Sequence, residues 1–195
     1  METIQIKKTV KTAAKLNTPK GLKPKETSKK KPVKNLSNLF EDSLRDIFWA
    51  EKVLTRTLSN MAGHATSPDL KLAIEIHLKE TNEHISRLEE IFKILQKKAI
   101  GKKCSSMEGL IKEGQGIMEE TEIGAVRDAG IIAASQKIEH YEITTYGTLY
   151  AFATALDQDD IARLLLLTLE EEKKADVKLT EIALAHINID ATERK

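Results

Sequence analysis

The sequence predicts an all-α domain: four long helices arranged as two helical hairpins. Three observations predict it. Only nine glycines and four prolines punctuate 195 residues, and aromatic residues make up 4%, low for a β-rich chain. Apolar residues recur at three- and four-residue steps over four long stretches, the period of a helix face rather than a strand. Residues 42–96 also align with 133–187 without a gap, matching Glu51 with Glu142, Leu58 with Leu149, Asp69 with Asp160, Glu80 with Glu171 and Ile91 with Ile182. Each copy is long enough for one hairpin, and the segment between them is a long crossover carrying a short fifth helix. Two hairpins joined by one crossover make a ferritin-like four-helix bundle.

The overall balance of +1 conceals a divided chain. Residues 1–35 hold eleven lysines and no arginine against Glu2 and Glu26. A Lys- and Thr-rich leader broken by prolines cannot bury enough apolar surface to fold, so a disordered tail is expected. Mitochondrial leaders favour Arg and Ser, which makes targeting the weaker reading. The acidic remainder, 36–190, is the expected bundle domain. No apolar run approaches the roughly 20 residues of a membrane span. Cys104 stands alone, which precludes an internal disulfide and points to the cytoplasm.

In chain order, Asn38 and Glu41 have capping-box spacing, with Ser37 a competing cap. Phe40, Leu44, Ile47, Leu54, Leu58 and Met61 then form one face of a first helix, broken at Gly63 and Ser67-Pro68. Pro68 suits the first position of a second helix, which carries Leu70, Ile74, Leu88 and Ile91 and runs to about Gln96. A basic loop from Lys97 to Ser106 leads into a shorter helix over Met107–Glu119. A third long helix covers Ala125–Leu156, Asp157–Asp160 turn the chain, and a fourth runs from Ile161 to His186.

Each seam should be apolar, yet each is interrupted near its middle by an acid. Glu51 lies between Ile47 and Leu54, and Glu142 between Ile138 and Leu149 with Glu139 one turn earlier. On the second helix His77, Glu80 and His84 follow one another along the seam. On the fourth, Glu171 is the seam acid of the run Glu170–Glu172, whose other members suit a solvated face. Buried carboxylates are costly unless paired or bound to metal. Four at matched depths, Glu51, Glu80, Glu142 and Glu171, point to a pair of cations, and oxygen donors with one or two imidazoles suit iron or manganese. Known bundle sites place Glu-x-x-His on two of the helices. Here Glu83 lies three beyond Glu80 and His84 four, while Lys174 and Ala175 follow Glu171, so His77 and Glu139 are the candidates to fill the gaps. Tyr141 and Tyr146 adjoin the site as candidate electron relays, with core packing the simpler role for Tyr146. Cys104 has no histidine base beside it in sequence and reads as a buried or loop thiol.

The motifs Ala50-Glu51, His77-Leu-Lys-Glu-Thr81, Lys103-Cys-Ser-Ser-Met-Glu-Gly-Leu110, Glu139-His-Tyr-Glu-Ile143 with Tyr146-Gly-Thr-Leu149, and Leu169-Glu-Glu-Glu-Lys173 with Ala175-Asp176 agree in order with one family. Residues 36–187 resemble the bacterial YciF/YciE family. That resemblance implies a ferritin-like, metal-binding, dimeric protein linked to stress responses, with no firmly assigned reaction. It carries over Glu51, His77, Glu80, Glu139, Glu142, Glu171 and Glu172 as metal-site positions, while His84 rests mainly on the seam.

Three functions compete at this level. The first is a di-iron or di-manganese centre reacting with oxygen or peroxide, with Glu80 and Glu171 bridging, Glu51 and Glu142 terminal, and His77 or His84 adding nitrogen. The second is a non-catalytic metal-storage protein, or one whose leader holds nucleic acid weakly and without sequence preference through phosphates; the leader suits a solubility device even better. The third is a metal-free structural homodimer with its acids facing water.

Overall fold

The computed structural model describes residues 35–192, all helix and loop, with no strand among them. The lysine-rich leader expected to be disordered lies outside the described residues. The helices are α1 (Leu36–His64), α2 (Pro68–Ile94), α3 (Ser105–Glu120), α4 (Ala125–Ala155) and α5 (Asp159–Ile182). A π-helical turn, Ala183–Ile187, and a last short helix, α6 (Asn188–Asp190), follow.

Helix α1 starts earlier than the capping-box spacing suggests. Asn35 is the cap, and its side-chain oxygen accepts from the Asn38 backbone N–H at 2.9 Å, so Asn38 is the third residue inside the helix rather than its cap. Three residues join α1 to α2. Ser67 caps α2 by accepting from Leu70 N–H at 3.4 Å, and Pro68 opens it, where a missing N–H costs nothing. The α1–α2 turn is locked from outside by Asp128 of α4, whose carboxylate accepts from the backbone N–H groups of Thr66 and Ser67, each at 2.8 Å. Helix α2 stops two residues short of Gln96, which takes a left-handed backbone (φ 55°) in the exit turn.

The crossover is pinned to α1. Lys102 donates to Asp42 at 2.5 Å and its backbone N–H to Arg45 C=O at 2.9 Å. Gly101 passes so close that a Cβ there would lie 2.9 Å from the Trp49 Cβ and 3.1 Å from its Cα. Helix α3 begins two residues before the expected Met107, with Cys104 as its cap, and buries Met107, Ile111 and Met118 against α1 and α4. There Gly114 meets Met61 of α1 and Ala134 of α4.

The two hairpins, α1–α2 and α4–α5, then pack face to face. Tyr146 opposite Glu51 and Ser135 opposite Met61 make α4 antiparallel to α1. His84 opposite Glu171, with Arg87 opposite Thr168, makes α5 antiparallel to α2. This is the four-helix, one-crossover bundle of the ferritin-like class. Apolar layers flank its middle, among them Phe48 edge-on to Phe92 at 5.5 Å between ring centres. Helix α5 ends before the expected His186, because the π-turn interrupts it after Ile182.

Candidate metal centre

Midway along the bundle the apolar core gives way to a polar layer. Glu51 from α1, His77 and His84 from α2, Glu139 and Glu142 from α4, and Glu172 from α5 meet there, none more than 6% exposed. Their positions follow from helical pitch. Glu51 lies one turn from Ile47, Glu142 one turn from Ile138, and His77 and His84 two turns apart on the line Leu70–Ile74–Leu88.

The donor atoms form two groups. One imidazole nitrogen of His77 and one oxygen each of Glu139, Glu142 and Glu172 lie within 4.8 Å of one another, and so do donors from Glu51, His84 and Glu172. Glu172 belongs to both. His77 Nε2 is 3.4 Å from Glu139 and 3.7 Å from Glu172, and His84 Nδ1 is 3.0 Å from Glu172 and 3.4 Å from Glu51. These atoms face one another without the alignment of hydrogen bonds. Both oxygens of Glu142 and of Glu172, one each of Glu51 and Glu139, His77 Nε2 and His84 Nδ1 are buried without a hydrogen-bond partner. So many unsatisfied polar atoms aimed at common points are what a cation satisfies and an apolar core does not. These buried groups could hold a metal ion.

The outward nitrogens strengthen the fit. His77 turns Nδ1 to Glu80 at 3.4 Å, and His84 turns Nε2 to Glu171 at 3.1 Å. Each ring therefore presents one nitrogen inward and has the other held by a carboxylate, the arrangement that fixes tautomer and orientation in metal-ligating histidines. Glu171 is itself gripped by Arg87, whose Nη2 donates to it at 3.0 Å. Burial opposes its charge, but Arg87 prevails and holds the Glu171 carboxyl below its usual range.

Charge in the layer is finely divided. Burial drives Glu139 and Glu142 well above the usual carboxylate range, with the charge of Glu172 adding to the shift, and burial also raises Glu51. Burial opposes charge on Glu172 too, but the two rings prevail and hold it below that range. Burial works against the rings' own charge, yet Glu139, Glu80 and Glu172 push His77 up to about 9. Glu172 and Glu51 push His84 up to about 11 in the same way. Tyr146, fully buried, donates its hydroxyl to Glu51, and burial with the nearby carboxylates pushes it well above the usual tyrosine range.

On α5 the seam expectation for Glu171 is not met, whereas Glu172, carried over by the family resemblance, lies in the layer. Glu172, not Glu171, points into the bundle: it is 0% exposed, whereas the Glu171 side chain is 27% exposed. Glu80, its side chain 38% exposed, likewise stands outside both donor groups. The bridging positions expected for Glu80 and Glu171 are therefore not where these acids lie. Each instead backs a histidine. Helix α2 gives the layer two imidazoles and no carboxylate, and Thr81 occupies the buried position that the repeat pairs with Glu172. Glu80 and Glu171 reach solvent in part, but Glu51, Glu139, Glu142 and Glu172 do not face water as the metal-free reading requires of its acids. Tyr141 turns away from the layer, its hydroxyl 3.1 Å from Cys104 Sγ. Arg87 and Asp128 carry no signal in the sequence, because each is a charged residue on an otherwise ordinary helix face.

The family model described as Domain of unknown function (DUF892) matches residues 35–192. Protein YciF of Escherichia coli (strain K12) is 42% identical over 163 residues, 83% of this chain and 98% of that protein. The chain belongs to the YciF family. The structure of the E. coli stress protein YciF superposes with a TM-score of 0.77 at 43% identity, covering 80% of this chain and 99% of that one. YcfI from Rhodopseudomonas palustris, described as a putative structural protein, gives 0.74 at 42% identity, covering 78% and 96%. A Xanthomonas campestris protein at 20% identity (TM-score 0.65, covering 80% and 95%) shares the fold. The polar layer falls wholly inside the residues that the family model matches. No described helix is long and apolar enough to cross a membrane.

Proposed function

We propose that the polar layer is a two-ion centre for iron or manganese, and that this stress-protein relative uses it to react with oxygen or peroxide. One observation carries the reading: two groups of buried, unpaired donors share Glu172. Four carboxylates and two imidazoles match the donor count of bundle di-metal sites, although here both histidines come from one helix. His77, Glu139 and Glu142 would hold one ion, Glu51 and His84 the other, with Glu172 common to both. When bound, the ions supply redox and Lewis-acid chemistry. The chain's own part is to fix the donors, with Glu80 and Glu171 orienting the rings and Tyr146 anchoring Glu51. The apolar layers above and below limit the approach of bulk water.

The test is metal content per chain after expression with iron and manganese, followed by peroxide consumption under single-turnover conditions. About two ions per chain and metal-dependent consumption support the reading; a protein that takes up neither metal at micromolar concentration sinks it. The lysine-rich leader suits a solubility device best; weak phosphate contact is its alternative role, and retention on DNA columns at low and high salt would measure it.

A further inference from the structure

Between the N-terminal half of α2 and the C-terminal half of α5 the helices part around a cavity of about 630 Å³. That volume falls in the range of small-molecule sites. Its deep wall is buried and apolar, formed by Leu58, Ile74, Leu179 and Ile182, with Ser135 on the α4 side. At one point it reaches His77 and Glu139, the edge of the polar layer. Farther out the wall stays apolar where it meets solvent: Leu72 is 56% and Ile76 46% exposed, an unfavourable use of surface unless something covers it. The mouth also carries charge. Lys174 and Lys178 both line it and are exposed, and while Lys178 lies 3.4 Å from Glu181, Lys174 has no ion-pair partner among the described residues.

We propose that this cavity binds a long-chain carboxylic acid, its hydrocarbon tail along the Leu58–Ile74–Leu179 wall and its carboxylate at Lys174 and Lys178. An apolar slot with a cation at its open end matches an amphiphile with one anionic end. A purely apolar ligand would leave Lys174 without a counter-charge. A sugar or nucleotide would find few polar partners along the deep wall, where Leu58, Ile74, Leu179 and Ile182 leave only Ser135 and the edge of the polar layer. Asp69, Glu80, Glu139 and Glu181 also line the cavity. They disfavour polyanions such as phosphorylated metabolites and leave room for a single carboxylate at the lysine side. Binding rests on the wall and the mouth, so it stands apart from the metal reading.

The experiment is titration of the full chain, metal-free and metal-loaded, with dodecanoic and hexadecanoic acid below their micelle concentrations, read by calorimetry and by native mass spectrometry. The matching alcohols serve as the uncharged control. The expected result is one molecule per chain in both metal states, with the acid bound more tightly than the alcohol. K174E/K178E, a surface change that leaves the core alone, should weaken the acid by roughly tenfold or more and leave the alcohol unchanged. Ala73→Phe, placed in the cavity wall, should reduce both while metal content stays at the wild-type level. Absence of saturable binding in both metal states overturns the proposal. So does equal affinity for acid and alcohol, or binding indifferent to both variants. Exclusion of the acids by a concentration-dependent dimer that buries Leu72 and Ile76, seen by sedimentation, would overturn it as well and assign the face to a second copy.

Discussion

Replacing Glu172 with glutamine tests the candidate centre at the one residue its two halves share. The side chain keeps its size and one carbonyl oxygen but loses its charge. Because Glu172 lies in both donor groups, the change replaces an anionic donor by a weak neutral one in a set of four residues and in a set of three. A partner that merely orients a ligand costs about 10–100-fold in metal affinity when removed. A directly coordinating carboxylate shared by two ions should therefore cost about 100-fold or more at each. Glu80→Gln and Glu171→Gln provide the scale. They alter only the groups behind His77 and His84, and each should cost about 10–100-fold. The assay is metal content by mass spectrometry after dialysis, with competition against a chelator to obtain both affinities. Full retention of both ions in E172Q, or a larger loss in E171Q than in E172Q, would refute the reasoning. Loss of one ion with the other untouched would show that Glu172 is not shared.

Further outcomes follow from the same structure. Ligation needs neutral imidazoles and ionised carboxylates, whereas His77 and His84 are raised to about 9 and about 11 and Glu139 and Glu142 well above their usual range. Metal uptake at neutral pH should therefore release protons and weaken as pH falls, measurable by calorimetry in buffers of different ionisation heat. In the metal-free protein the same raised histidines contribute stability that is full below about 6.5, the unfolded value, and lost as pH rises through about 9 and then about 11. Melting temperature should thus drop between about pH 7 and 10, and a rise over that span would contradict the ion pairs. Asp128→Ala removes the acceptor for two backbone N–H groups in the α1–α2 turn. The bond to Ser67 is buried and that to Thr66 partly so, and both are made to a carboxylate, so the loss should cost about 2–4 kcal/mol in denaturant unfolding; metal content should not change, because Asp128 belongs to neither donor group. Gly101→Ala forces a methyl against Trp49 and should cost about 1–3 kcal/mol, read as a lowered midpoint at unchanged slope.

The bundle is legible from the amino-acid order alone. Helical periodicity, two punctuating turns and a repeat of one hairpin leave few other ways to bury four apolar stripes, and Glu51 and Glu142 were legible because each interrupts such a stripe. The repeat register also holds at the turns: the shift that pairs Glu51 with Glu142 carries His64, the end of α1, onto Ala155, the end of α4, and Pro68 onto Asp159, the starts of α2 and α5. Which member of Glu170–Glu172 enters the layer depends on how the helices pack. Neighbouring helix residues differ by about 100° in direction, and a stripe containing both Leu164 and Leu165 fits either choice, so packing against α2 and α4 fixes the rotation that buries Glu172 and turns Glu171 to Arg87. The roles of Glu80 and Glu171 were hidden for the same reason. An acid that backs a histidine and an acid that enters the layer can be one position apart in sequence, and only the facing helices decide which of the two meets the centre.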